Sequence, residues 1–275
     1  MSAARVAAIP FRTVEISDPR WERDGLRQVT VKSPALAQRA DLSVFVCPGA
    51  EKATGVPVVI LLHGVYGSHW AWALKGGAHT TAARLCAAGE IPPMVLAMPS
   101  DGLWGDGSGY LAHRTQDFER WIVEEVPAAT ALAAPCVGPE SPIFIAGLSM
   151  GGFGALRLAG KFPQRFVAAS GHSSATRLEQ LRDYVEEPLA TFTALEEDRS
   201  VLDTYLRQKG PFPKLRFDCG TEDPLLEFNR DLHRGLLGAN IPHQYDEFPG
   251  GHTWAYWELH LEKTLRFFAS TLNIS

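Results

Sequence analysis

Short, mostly apolar runs separated by helix-length segments organise the chain from residue 58 onward: Val58–Leu62, Met94–Met98, Ile143–Ala146, Phe166–Ala169, Leu215–Cys219 and Gln244–Phe248. A strand that is apolar on both sides has to be covered on both faces. Strands that recur with a helix between them pair in parallel through crossover units. The pattern therefore predicts an α/β chain with a mostly parallel central sheet and helices on both faces. Two of the expected helices carry a clear apolar stripe. Asp117–Val126 aligns Phe118, Trp121, Ile122 and Val126, and the last helix aligns Trp257, Leu261, Leu265, Phe268 and Leu272. Ahead of this region, Leu26–Ser33 and Asp41–Cys47 alternate as half-buried strands. The Pro34–Gln38 break between them suits an antiparallel N-terminal hairpin.

At 275 residues the chain is expected to form one domain over 1–275. Residues 171–213 interrupt the strand–helix rhythm with some forty residues, in which Arg177–Tyr184 and Val201–Arg207 read as helical. A long excursion at the edge of such a sheet is expected to be a cap over a site. The net charge of −5 comes with Lys and Arg dispersed along the chain, which argues against nucleic acid and anionic membrane surfaces as partners. Met1–Pro10 holds no apolar run of signal-peptide length, and no stretch approaches the roughly 20 apolar residues of a membrane span. A cytoplasmic location is the expectation. Cys47, Cys86, Cys136 and Cys219 form no CxxC pair and read as buried, reduced thiols rather than as a zinc site or a disulfide framework.

Gly147-Leu148-Ser149-Met150-Gly151 fits G-x-S-x-G, a pattern that is weak until its setting is considered. Ser141–Ala146 reads as a strand entering it and Gly152–Lys161 as a helix leaving it, the strand–turn–helix setting of a nucleophile elbow. The turn is so tight that the flanking residues must be Gly, and the helix that follows aims its positive end at Ser149. A serine attacking a carbonyl needs donors for the developing oxyanion. The Met150 N–H follows from the elbow itself. The Val65 N–H, in His63-Gly64-Val65-Tyr66-Gly67 after the strand Val58–Leu62, is the expected second donor. His63 is expected to anchor that loop.

The base should stand at the carboxyl end of the last strand. There Pro249-Gly250-Gly251-His252 offers His252, with His243 and His260 less well placed. The orienting acid should follow the preceding strand, where Gly220-Thr221-Glu222-Asp223-Pro224 offers Asp223, with Glu222 its close rival and Asp218 a distant one. The order Ser149, Asp223, His252 is nucleophile, acid, base.

Four stretches carry a resemblance: Leu61–Gly64, Gly147–Leu156, Cys219–Asp223 and Gly250–Trp254. They resemble the esterase family that includes esterase D, or S-formylglutathione hydrolase, with tributyrin esterases, feruloyl esterases and mycolyltransferases. The resemblance runs from about Leu26 to the C-terminus and is most specific around Ser149. It implies an α/β-hydrolase fold and hydrolysis of carboxylic esters or thioesters by a Ser–His–Asp triad with no metal or other cofactor. On this chain it maps to Ser149, Asp223 and His252, with oxyanion donors at Val65 and Met150. The loop His63–Gly67 departs from the S-formylglutathione hydrolases.

Tyr66, Trp70, Trp72, Trp104, Tyr110 and Trp254 crowd the expected carboxyl edge of the sheet, and Tyr66, Trp70, Trp104 and Trp254 are candidate substrate contacts. Trp104 lies in the Gly-rich loop Pro99–Tyr110, where it could stack on a sugar or aromatic acyl group. The expected substrate is a small-molecule ester with a small acyl group, acetyl or sugar-linked. Asp101 and Asp106 in that loop lack the ligand spacing of an EF-hand and read as polar turn residues. His172 is left between the pocket beneath the cap and a helix-cap or surface role. An acyltransferase or a thioesterase using the same triad, and a silent binding module on the same scaffold, are the alternatives. An open sheet edge leaves a homo-oligomer conceivable.

Overall fold

A computed structural model describes residues 11–192, 195–208 and 210–272. Met1–Pro10, read above for export signals, and residues 193, 194 and 209 of the expected cap lie outside the described residues. The strands are β1 (Val14–Ile16), β2 (Leu26–Ser33), β3 (Gln38–Val46), β4 (Val58–Leu62), β5 (Val95–Pro99), β6 (Ile143–Leu148), β7 (Ala168–His172), β8 (Lys214–Gly220) and β9 (Gln244–Phe248). They form one sheet in the order β1-β2-β3-β5-β4-β6-β7-β8-β9. Pairing is antiparallel from β1 through the β3–β5 contact, and parallel from β5 to β9.

The helices are α1 (Ala71–Leu74), α2 (Ala78–Ala87), α3 (Phe118–Arg120), α4 (Val126–Ala133), α5 (Met150–Lys161), α6 (Val201–Arg207), α7 (Leu226–Gly238) and α8 (Trp254–Thr271). Alternate residues of each central strand feed two separate cores. Val58, Ile60, Leu62 and Ile145 pack with residues of α3 to α7, among them Trp121, Phe153, Tyr205 and Leu232. Val59, Leu61, Phe144 and Ala146 pack with α1, α2 and α8 through Trp72, Leu85, Leu261, Leu265 and Phe268. This is the predicted mostly parallel sheet with a helical layer on each face and an antiparallel hairpin at its start. Among the described residues no helix is long and apolar enough to cross a membrane. Cys47, Cys136 and Cys219 are buried as expected, Cys86 is only half-buried, and all four are free.

The order explains where a site can form. From β4 the chain crosses to β5 on one side and then to β6 on the other, so the loops after β4 and β6 diverge from a common crevice at the strands' carboxyl ends. Ligands of open α/β sheets bind at such a switch point.

Three elements differ from the sequence reading. The helix expected at Asp117–Val126 is interrupted by a π turn, Trp121–Glu125, before continuing as α4. Pro127 has no N–H for the Val123 carbonyl and its ring would clash there, which a wider turn relieves. The turn also delivers the buried Glu125 carboxylate to Ser33 Oγ and the Ala35 N–H at the β2–β3 bend. The strand expected at Phe166–Ala169 instead runs Ala168–His172, because its second half is built from buried polar and small residues that carry no hydropathy signal. Arg177–Tyr184 is not an α-helix but a single 3₁₀ turn, Leu178–Leu181. Its two leucines are three residues apart and both buried, the spacing that a 3₁₀ turn puts on one side.

Val201–Arg207 is α6 as read, capped by Ser200 Oγ accepting the Asp203 N–H. It docks on α5, where its Tyr205 ring fills the space beside Gly160. Lys161 to Asp198 at 2.6 Å ties the same part of the insertion down. Tyr184–Glu187 and Phe192 reach the loops after β4 and β5, and the Ala175 N–H donates to the Ser149 carbonyl at 3.1 Å.

Candidate active site

Ser149 sits between β6 and α5 with φ 55° and ψ −120°, a conformation that non-glycine residues avoid unless the surroundings enforce it. Those surroundings are visible. A Cβ on Gly147 would lie 2.2 Å from the Gly151 carbonyl oxygen, and one on Gly151 would lie 2.3 Å from that of Leu62. Both glycines of G-x-S-x-G are therefore required by close backbone approach. The Ser149 N–H is held by the His172 carbonyl at 3.0 Å.

His252 Nε2 lies 3.0 Å from Ser149 Oγ, and His252 Nδ1 lies 2.9 Å from Asp223 Oδ2 and 3.1 Å from Oδ1. The expected nucleophile, base and acid are thus brought into one line. With the carboxylate accepting the Nδ1 proton, Nε2 is left with a lone pair facing the hydroxyl, the tautomer a general base needs. Asp223 is buried and its Oδ1 also accepts the Leu225 N–H at 2.9 Å, which fixes the carboxylate at the start of the turn into α7. The rivals are elsewhere. Glu222 is exposed, His243 pairs with His233 at 2.8 Å, and His260 is buried within α8. Burial and the nearby Asp223 charge push the Cys219 thiol up, so it stays protonated and is no competing nucleophile.

The loop after β4 lies against Ser149. A Cβ on Gly64 would stand 2.8 Å from Leu148 Cδ1 and 3.3 Å from Ser149 Cβ. Among the described residues neither the Val65 nor the Met150 N–H donates a hydrogen bond to another residue. His63 anchors the loop from below, as expected. Its Nε2 accepts the Asp101 N–H at 3.2 Å and its Nδ1 lies 2.7 Å from the Gly64 carbonyl, a pairing that places the ring proton on Nδ1. Asp101 in turn caps its own loop, accepting from Leu103 N and Ser108 N, which is the turn role read from sequence.

A family model described as "Putative esterase" matches residues 33–268. The chain belongs to the esterase family. It is 30% identical over 228 residues to an acetyl esterase of Caldicellulosiruptor saccharolyticus, an alignment that covers 76% of this chain and 82% of the relative. Among solved structures it is similar to a ferulic acid esterase, with a TM-score of 0.75 and 24% identity over 94% of this chain and 98% of that one. An S-formylglutathione hydrolase from Agrobacterium tumefaciens gives a TM-score of 0.74 and 20% identity over 96% of this chain and 99% of that one. These neighbours share the α/β-hydrolase fold, and the family makes the chain a carboxylic ester hydrolase.

The aromatic residues of the esterase separate into three groups. Tyr66 and Trp70 are exposed, at 66% and 40%. Trp254 is half-buried against Trp72 and Trp257, and Trp104 is half-buried among His113, Phe118 and Phe192. Trp72 and Tyr110, read as part of the same edge, are instead buried supports. Trp72 donates to the Leu62 carbonyl and Tyr110 to that of His63, so both brace the β4 loop from within.

Sequence reasoning missed the polar layer beneath the site. His172 faces neither pocket nor surface. It is fully buried with Nδ1 3.1 Å from Asp218 Oδ1 and Nε2 2.9 Å from Thr264 Oγ1. Asp218, the distant rival for the acid, also takes Arg216 at 2.5 Å and the Tyr256 hydroxyl at 2.9 Å. Burial alone would raise its carboxyl, but His172 and Arg216 outweigh burial and hold it well below the usual carboxylate range. The signal was the R-F-D pattern of β8, which points Arg216 and Asp218 to one side of a strand that is otherwise apolar.

Proposed function

We propose that this esterase hydrolyses carboxylic esters with small acyl groups, acetyl esters foremost, through Ser149, His252 and Asp223 and a covalent acyl-enzyme. The observation that carries the reading is His252 spanning Ser149 Oγ and the Asp223 carboxylate at 3.0 and 2.9 Å. His252 Nε2 takes the Ser149 proton as Oγ attacks the carbonyl carbon. The oxyanion forms toward the Val65 and Met150 N–H groups. Collapse expels the alcohol with the proton from His252, and water, activated by the same imidazole, then releases the acid. Asp223 favours the imidazolium that forms in both halves.

A small acyl group is supported by the name of the acetyl esterase relative. Tyr66 and Trp70 offer exposed aromatic surface to the alcohol part of the substrate, with Trp104 and Trp254 behind them. The part of the 171–213 insertion at Tyr184–Glu187 serves as the cap.

The test is hydrolysis of p-nitrophenyl acetate, butyrate and octanoate by the parent and Ser149→Ala, with EDTA present. Turnover that favours acetate and collapses in the variant is expected. Turnover that survives Ser149→Ala, or that requires a metal, overturns the proposal.

A further inference from the structure

Asp106 joins three elements that the sequence keeps far apart. Its carbonyl accepts the Tyr66 N–H at 2.8 Å, its own N–H donates to Glu187 Oε2 at 3.1 Å, and its Oδ2 accepts the Glu186 N–H at 2.8 Å. The Tyr66 hydroxyl donates to the Tyr184 carbonyl, a second tie between the β4 loop and the same strip of the insertion. Gly105 packs against the Glu187 carboxylate so closely that a Cβ there would force that side chain to move. Gly107 rests on Met150 and Val65. Among the described residues no Lys or Arg pairs with Asp106, Glu186 or Glu187, so these groups are held by one another's backbone rather than by ion pairs.

Tyr66 needs such restraint. It has φ 60°, a left-handed conformation that bulky non-glycine residues avoid, and it follows directly on Val65. Rotation about the Tyr66 N–Cα bond out of that state would turn the chain that precedes it, Val65 included, relative to the rest of the loop. The bond from Tyr66 N–H to the Asp106 carbonyl opposes that rotation, and it is only as rigid as the Gly-flanked Asp106 segment. Flanked by Gly105 at φ 51° and by Gly107, that segment has little stiffness of its own. The contacts to Glu186 and Glu187 supply it.

We infer that Asp106 is a positioning residue: latched to the cap through Glu186 and Glu187, it holds the β4 loop with the Val65 N–H in place for the oxyanion. This rests on the proposed roles of Ser149 and Val65. The latch stabilises the transition state without gripping the ground-state ester, so its loss lowers kcat and leaves KM nearly unchanged.

The experiment compares p-nitrophenyl acetate kinetics of Asp106→Ala/Glu187→Ala with those of Asp106→Asn/Glu187→Gln, which keeps both side-chain acceptors. Outright loss of an oxyanion donor costs about 10²–10³ in rate, so a loosened donor is expected to cost about tenfold or more in kcat. KM should stay within about threefold, and the amide pair should recover most of the rate. A kcat within twofold of the parent for the alanine pair, or a loss that the amide pair does not recover, overturns the inference. Should the alanine pair fail to fold, Glu187→Ala alone decides by the same criterion. Ser149→Ala run alongside separates the two levels. If it is active, the site itself is misassigned; if it is inactive while the alanine pair is not impaired, only the latch is refuted.

Discussion

Replacing Asp218 by Asn removes the central charge of the polar layer under the active-site loops. The carboxylate is fully buried and is shared by Arg216, Tyr256 and His172. The Arg216 side chain is 3% exposed, and its other carboxylate, Asp246, lies 3.3 Å away and is 48% exposed. Loss of the Asp218 charge therefore leaves a buried guanidinium facing a partner that water already screens. Breaking one side of a buried ion pair costs about 3–5 kcal/mol. The amide oxygen of Asn still accepts one hydrogen bond, which places the change near the lower end, about 3 kcal/mol. One kcal/mol moves the Tm of a chain of this size by about 2–4 °C, so a fall of roughly 6–12 °C follows. Calorimetry of Asp218→Asn against the parent measures it, with Asp246→Asn as control, whose exposed contact is worth about 0–1 kcal/mol. The effect also has a sign in pH. The folded pKa of Asp218 is depressed, so its stabilisation is present above the ordinary value of about 3.9 and is lost only as pH falls below it. A Tm for Asp218→Asn within about 2 °C of the parent at pH 7, equivalent to 1 kcal/mol or less, would refute the reasoning.

Asp223→Asn should leave the fold intact and lower kcat by about 10⁴, because the amide favours the wrong imidazole tautomer; steady-state rates with unchanged near-ultraviolet circular dichroism test it, and a loss under tenfold contradicts it. Gly151→Ala drives a Cβ to within 2.3 Å of the Leu62 carbonyl and 2.5 Å of the His63 carbonyl, so the β4 loop has to move. Stability should drop by about 1–3 kcal/mol and kcat by about 10²-fold, and retention of both in thermal and kinetic assays would show that the backbone contact is not tight. Burial lowers the pKa of His69, His79, His113 and His260. Below the ordinary histidine value of about 6.5 the unfolded chain takes up protons that the folded chain refuses, so Tm should decline as pH drops from about 6.5 to 5. A Tm that rises over that range contradicts this account.

The central sheet was legible because its strands carry their burial in their composition. Val58–Leu62 coincides with β4 and Leu26–Ser33 with β2, whereas Gln244–Phe248 coincides with β9 in its bounds but is a half-exposed edge strand rather than one buried on both faces. The candidate site was legible because each of its residues stands just past a strand end and within two residues of a glycine or proline, where topology and backbone sterics leave few choices. Asp223 before Pro224 and His252 after Gly250-Gly251 are such cases. What escaped was structure held by polar contacts between distant segments. His172 and Ser170 lengthen β7 through partners on α8 and β8, and nothing local in Ser170-Gly171-His172 announces them. The π turn that relieves Pro127 also carries Glu125 to the β2–β3 bend some ninety residues earlier, a contact with no local signature. Asp106 had the look of a turn residue, and its ties to Glu186 and Glu187 are set by how the insertion folds back.

Rapid quenching of the enzyme during turnover of an acetyl ester, followed by peptide mass mapping, tests the central claim most directly. The account predicts one acetyl adduct, on the peptide holding Ser149, that accumulates in the parent and is absent from Ser149→Ala and His252→Ala. An adduct on another residue, or steady turnover with no adduct at any time point under a burst of alcohol release, would contradict it.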